Sequence, residues 1–213
     1  MAIGSLGPLP PPPLTLQQKI DLVGRKHRAV HSKMQQELDL NGFVYNMTDP
    51  ESGTRIIRWL VQNGHLDSKS NFCDPFMGNG LLVHLVHVMT GVDSTGIEKD
   101  KQIYEAAVGI SADLSNLGVI DPQHVHLTCG DCRYLSLARF NVFYLLPPWD
   151  DGGPDPMLVW DTITNMRLGA IMVLTHGINL SSCYYSPFRM ERYVEKVKDI
   201  GGAEIYRRIS IAP

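Results

Sequence analysis

This sequence is short of several things, and each shortage excludes a class of protein. No apolar run is long enough to cross a bilayer, and the opening residues lack a secretory leader pattern. Cysteine is sparse, with four in 213 residues. A disulfide scaffold is therefore not expected, and a reduced intracellular protein, cytoplasmic or nuclear, is. Surplus positive charge is also missing. The 19 Lys and Arg against 22 Asp and Glu leave a net charge of −3. That excludes a uniformly basic nucleic-acid binder and leaves room only for local patches. A Gly-x-Ser-x-Gly elbow is absent, which argues against a hydrolase triad. The one conspicuous glycine turn, Gly78-Asn79-Gly80, has no third glycine at dinucleotide spacing and no Lys-Ser/Thr after it. A Walker phosphate loop is excluded, and an NAD fingerprint is not expected.

What is present begins with a proline run, Pro10 to Pro13. Residues 1–14 read as an extended tail, which could also serve as a ligand for proline-recognition domains. Residues 15–49 read as a helical arm. Thr15 caps a helix carrying Ile20, Leu22, Val23, Val30, Met34 and Leu38, and Asn41-Gly42 ends it. That helix holds the densest basic cluster of the chain: Arg25, Lys26, His27, Arg28, His31 and Lys33. Such a cluster is either a solvated face or a guide for phosphates. Thr48-Asp49-Pro50-Glu51 then has the composition of a second helix start.

From Asn71 strand and helix patterns alternate. Strands are expected at 71–75, 94–98, 124–129, 141–146 and 170–175, and a late one at 203–211. Helices are expected at 81–90, 101–117, 156–165 and 187–199. Repeated βα units with apolar strands imply an α/β domain over residues 50–213, with a mostly parallel sheet covered by helices on both faces. Ligands of such sheets bind beyond the C-terminal strand ends at the topological switch point.

The chemistry-bearing residues fall at those ends. Asp74 and the Gly78-x-Gly80 turn follow the first strand. Glu98 ends the second, where an acid can accept both hydroxyls of a ribose. Asp131 follows the third and can accept an adenine amine. Leu146-Pro147-Pro148-Trp149 follows the fourth as a stiff turn with an aromatic at its mouth.

These residues resemble the Rossmann-like, class I S-adenosylmethionine-dependent methyltransferases over about residues 50 to 200. Asp74-Pro75-Phe76-x-Gly78-x-Gly80 resembles their cofactor loop. The x-Pro-Pro-Trp run resembles the catalytic turn of those methylating amines in nucleic acids. Within that group, Pro147 to Asp155 is similar to the Pro-Pro-Trp-Gly-Gly-Pro-Asp segment of trimethylguanosine synthases, with two extra residues. The resemblance implies S-adenosyl-L-methionine as cofactor, held by Asp74, Phe76, Gly78, Asn79, Gly80, Glu98, Lys99, Asp131 and Cys132. It implies catalysis at Leu146, Pro147, Pro148 and Trp149. Substrate contacts would come from Trp149, Asp150 and Asp151, with Arg25 and Arg28 on RNA phosphates. The implied acceptor is an RNA purine amine, such as the N2 of a cap guanosine.

Two departures stand out. Leu146 occupies a position where amine-methylating relatives carry Ser, Asn or Asp. The chain also has a single late strand where relatives close their sheet with an antiparallel pair, so an incomplete sheet, or an edge completed by a protein partner or dimer, is expected. Gly96-Ile97-Glu98-Lys99 also resembles the ribose-acid segment of histone-lysine methyltransferases. A protein-lysine or small-molecule acceptor, or a non-catalytic binding module, are the alternatives. Cys129-x-x-Cys132 has no second pair at finger spacing, so no metal is expected. His84 and His87 read as core or surface histidines, and Ser181 to Tyr185 as a segment near the substrate side.

Overall fold

The computed structural model describes residues 12–39, 48–147, 149–150, 153–154, 156–175 and 190–211. Helix α1 (Leu16–Asp39) opens with a reciprocal cap. The Gln18 amide donates to Thr15 Oγ1 at 3.3 Å, and the Thr15 amide donates to Gln18 Oε1 at 2.8 Å. Helix α2 (Pro50–Gln62) begins as its sequence dictates, with Asp49 accepting from the Ser52 amide at 2.9 Å and proline in the first turn. The expected stop of α1 at Asn41-Gly42 lies outside the described residues.

Next come β1 (Phe72–Asp74), α3 (Leu81–Thr90), β2 (Ser94–Glu98), α4 (Lys101–Asn116), β3 (Val125–Cys129) and β4 (Val142–Leu145). A short hairpin, β5 (Trp149–Asp150) with β6 (Gly153–Pro154), leads into α5 (Pro156–Asn165). The chain finishes with β7 (Ile171–Leu174), β8 (Val194–Ile200) and β9 (Ala203–Arg208). Seven strands form one sheet in the order β3-β2-β1-β4-β7-β9-β8. The first five are parallel; β9 runs antiparallel to both β7 and β8.

This corrects two expectations. Residues 194–200 are a strand and not a helix, and the antiparallel closing pair, unexpected from the sequence, is supplied by β8 and β9. The spacing Val194, Val197, Ile200 mimics a helical face. It arises instead from a bulge: Lys196 pairs with Tyr206 and Lys198 with Ile205, leaving Val197 without a register partner. The bulge flips the pleat, so Val194 packs on one face of the sheet while Val197 and Ile200 pack on the other. Gly201 and Gly202, at φ 52° and 90°, make the two-residue turn that joins β8 to β9.

Helices α1 to α4 cover one face through Ile20, Val23, Ile57, Leu60, Leu85 and Ile110. Helix α5 covers the other through Val159 and Ile163, against Phe143, Leu145 and Met172. The N-terminal arm is therefore built into the main core. The order reverses at β1, with β2 and then β3 on one side and β4 on the other, which places the crevice above Asp74, Glu98 and Leu146.

Candidate cofactor and substrate site

The site is built on the turn between β1 and α3. Asp74 is buried at the end of β1, and its Oδ1 accepts the Phe76 amide at 3.1 Å. The Met77 amide then donates to the Ile97 carbonyl at 3.0 Å, which lays the turn over the end of β2. Gly78 and Gly80 take φ of 53° and 85°, a left-handed backbone that side chains rarely adopt. At Gly80 a Cβ would also meet the His84 ring at 3.3 Å. Helix α3 starts at Gly80 without any side-chain cap, which leaves its first amides without a side-chain acceptor.

Glu98 joins the two strand ends. Its Oε2 accepts the Gly78 amide at 3.1 Å and its Oε1 accepts the Asp100 amide at 2.8 Å. Each carboxylate oxygen keeps a second lone pair, which is what two ribose hydroxyls require. Burial pushes the Glu98 carboxyl above its usual range, with the two amides pulling it back.

Asp74 is more perturbed. Burial, reinforced by the Glu98 charge, lifts its carboxyl to about 8 against the counter-pull of the Phe76 amide. Among the described residues, no lysine or arginine forms an ion pair with it. A buried acid lacking a cation is a fitting receptor for one. Beside it the Tyr144 hydroxyl, buried on β4, hydrogen-bonds Thr48 Oγ1 at 2.6 Å, which ties the entrance of α2 to the strand ends.

Asp131 caps a short 3-10 turn and is held by Arg133, whose Nε donates to both carboxylate oxygens at 3.0 Å. This pair keeps the Asp131 carboxyl below its ordinary range. Cys132 is buried in the α5-side core, where desolvation raises its thiol to about 11. Phe76 is half-buried against that same core, and Lys99 is exposed. Cys129 is an exposed free thiol, and no cluster of His, Cys, Asp and Glu fit for a metal occurs among the described residues.

On the acceptor side, Leu146 is half-buried and packs against the α1-to-α4 core, while Pro147 is buried. The backbone of Trp149 and Asp150 enters the β5–β6 hairpin immediately after the turn. Pro148 and Asp151, the side chains of Trp149 and Asp150, and residues 181–185 lie outside the described residues. Arg25 and Arg28 are exposed on α1. Their neighbour Lys26 pairs with Asp113 of α4 at 2.6 Å.

Sequence reasoning missed three participants. Gly96 lies under the turn, where a Cβ would sit 2.2 Å from Met77 Sδ and 2.8 Å from Val83 Cγ2. His27 and His84 form a buried pair against Asn79. The signal for Gly96 was a glycine inside a strand, which marks close approach by another segment.

This topology is a Rossmann-like α/β fold whose strand order reverses at β1. The sequence matches no protein-family profile and no curated relative. Among solved structures, a Listeria monocytogenes protein assigned to the class I S-adenosylmethionine-dependent methyltransferases superposes with a TM-score of 0.63. Its identity is 13%, over 93% of this chain and 71% of that one. A mutant of MtNAS in complex with S-adenosylmethionine gives 0.58 at 12% identity, over 92% and 75%. An RNA methyltransferase of Salinibacter ruber in complex with S-adenosyl-L-homocysteine gives 0.51 at 19%, over 79% and 97%. These likenesses establish the fold.

Proposed function

We propose that this chain is an S-adenosyl-L-methionine-dependent N-methyltransferase acting on a purine amine of RNA, with the N2 amine of a cap guanosine as the specific target. One arrangement carries the reading. A buried acid, Asp74, without a cation partner among the described residues, and an acid gripping a glycine amide, Glu98, end the neighbouring strands β1 and β2 at the switch point of the sheet. Asp74 suits the cationic part of the cofactor, and the remaining lone pairs of Glu98 suit its ribose hydroxyls. The backbone of Gly78 to Gly80 permits close approach, and Asp131 suits the adenine amine.

When bound, the cofactor supplies a sulfonium methyl group as the electrophile. The protein's share is positioning and exclusion of water. In this reading the carbonyls of Leu146 and Pro147 accept hydrogen bonds from the N–H groups of the acceptor amine, and the proton shed by the methylated nitrogen passes to solvent as the product leaves. A guanine amine donates its lone pair into the ring, and holding its protons out of plane restores nucleophilicity. Trp149 stacks on the base, a contact worth roughly 1–3 kcal/mol. A methylated, cationic purine would be held more tightly by the same ring and by Asp150 and Asp151. Arg25 and Arg28 guide phosphates. The free thiols at Cys73, Cys129 and Cys132 suit a reducing compartment, cytoplasmic or nuclear. No helix among the described residues is long and apolar enough to cross a membrane.

A second reading is favoured by Leu146, whose half-buried side chain offers an amine no hydrogen bond. It assigns the acceptor to a protein lysine or small molecule, or leaves the fold as a non-catalytic module. Labelled methyl incorporation into RNA, histones and metabolite extracts, run beside calorimetry with S-adenosylhomocysteine, decides between them. Transfer to RNA is expected. Binding with transfer only to histones or metabolites moves the acceptor, and no binding at millimolar concentration overturns the cofactor.

A further inference from the structure

The floor of the glycine turn is fastened from outside the βα core. His27 lies on α1, more than forty positions before the turn, yet it is fully buried against it (0% exposed). Its Nδ1 lies 3.0 Å from Asn79 Oδ1, and its Nε2 lies 3.0 Å from Nδ1 of His84, itself 0% exposed. Asn79 is the middle residue of Gly78-Asn79-Gly80 and is 1% exposed. The His27 carbonyl lies 3.5 Å from Asn79 Nδ2, so backbone and side chain of one residue meet both ends of one amide.

The proton positions follow from the partners. An amide oxygen only accepts, so His27 Nδ1 carries the hydrogen and its Nε2 is a lone pair. That lone pair takes the N–H at His84 Nδ1. His84 Nε2 is then an unprotonated nitrogen, and it is the ring atom without a hydrogen-bond partner among the described residues. A bare lone pair there is less costly than an orphaned N–H. Burial holds both rings neutral, with His27 lowered to about 4.

Three polar side chains in series are a poor choice for filling an apolar core. Leucine or phenylalanine would pack the α1–α3 contact without any desolvation penalty. What a polar chain adds is a defined orientation. We infer that His27 is a positioning residue of the cofactor site: by holding the Asn79 amide it fixes the Gly78–Gly80 backbone in the form that presents the Gly78 amide to Glu98. The N-terminal arm is thus half of the cofactor cradle, whatever it also does for the acceptor. The inference rests on reading the turn as a cofactor site.

Two isosteres separate the contacts. In His27→Asn the amide nitrogen falls near the lost Nδ1, keeping the bond to Asn79 and dropping His84. In His27→Gln the amide oxygen falls near the lost Nε2 lone pair, accepting the His84 N–H and dropping Asn79. The full-length protein and both variants would be titrated with S-adenosylhomocysteine and melted thermally. The Gln variant is expected to lose roughly three- to tenfold in affinity, the span of one net hydrogen bond. The Asn variant should stay near wild type even where both variants melt at the same lowered temperature. Equal losses, or affinity that follows melting temperature, overturn the inference. If the wild type binds no S-adenosylhomocysteine, the cofactor reading fails, and amide hydrogen exchange at Gly78 to Gly80 still decides this one. Faster exchange in Gln than in Asn supports the fastening; equal exchange overturns it.

Discussion

The carboxylate of Glu98 accepts the backbone N–H of Gly78 at 3.1 Å, so the acid ending β2 and the glycine turn after β1 form one unit. The other oxygen of the same carboxylate takes the Asp100 amide at 2.8 Å, which starts α4. A single side chain thereby sets the turn, a helix entrance and the candidate ribose contact.

That double acceptance makes Glu98→Gln a demanding change. A carboxamide offers one acceptor oxygen and turns its NH2 toward the other amide, leaving a backbone N–H unmet. Such a loss costs about 1–3 kcal/mol. The variant should melt lower and bind S-adenosylhomocysteine at least tenfold more weakly by calorimetry. Unchanged affinity would show that Glu98 is a structural acid alone.

Gly96 supports the same turn from below. A methyl group at this position would overlap Met77 Sδ at 2.2 Å and crowd Val83 at 2.8 Å. The Met77 thioether can swing, but Val83 Cγ2 at 2.8 Å and Met77 Cβ at 3.0 Å lie next to the backbone of α3 and the turn, so these must shift. Gly96→Ala should destabilise by about 1–3 kcal/mol, the usual range for overpacking. Cofactor affinity should fall with stability. Gly109, with nothing near its Cβ direction, is the control: Gly109→Ala should leave both unchanged or raise stability.

Most of the βα core was legible because its local signals agree with one another. Asp49-Pro50 starts α2 as its composition suggests, and β2 and α5 fall at their expected bounds. The C-terminal strand pair was misread for a physical reason. A bulge at Val197 turned an alternating pattern into a three-residue spacing, and the Gly201-Gly202 hairpin signal was passed over. Of the site, the residues at strand ends were readable because strand order fixes where a crevice forms. The His27–Asn79 contact was not, because nothing in a helix repeat says which buried position meets a loop 52 residues away.

Asp131 and Arg133 supply a test of competition. The guanidinium covers both carboxylate oxygens that an adenine amine would need. Arg133 is substantially exposed, and such pairs contribute about 0–1 kcal/mol. Arg133→Ala should therefore leave stability nearly unchanged and tighten S-adenosylhomocysteine binding by up to about fivefold, the equivalent of that pair energy. Asp131→Asn should weaken it. Weaker binding in the Arg133 variant would instead make the guanidinium part of the site.

Asp74 connects proton release to ligand binding. Its carboxyl, raised from 3.8 to about 8 by burial, holds a proton in the folded apo protein that the unfolded chain gives up between those values. The resulting stabilisation is complete below 3.8 and is lost as pH rises through 8, so the apo protein should melt lower at pH 8 than at pH 6. A cationic group bound beside Asp74 favours the carboxylate and expels that proton. Affinity for S-adenosylhomocysteine should then rise with pH between 6 and 8, by at most about tenfold per unit for one proton. Calorimetry at pH 7 in two buffers of different ionisation enthalpy would count close to one proton released. Asp74→Asn should release none and flatten both pH profiles. A wild-type count of zero would mean that no cation of the ligand reaches Asp74, and the candidate contact would have to move elsewhere in the crevice.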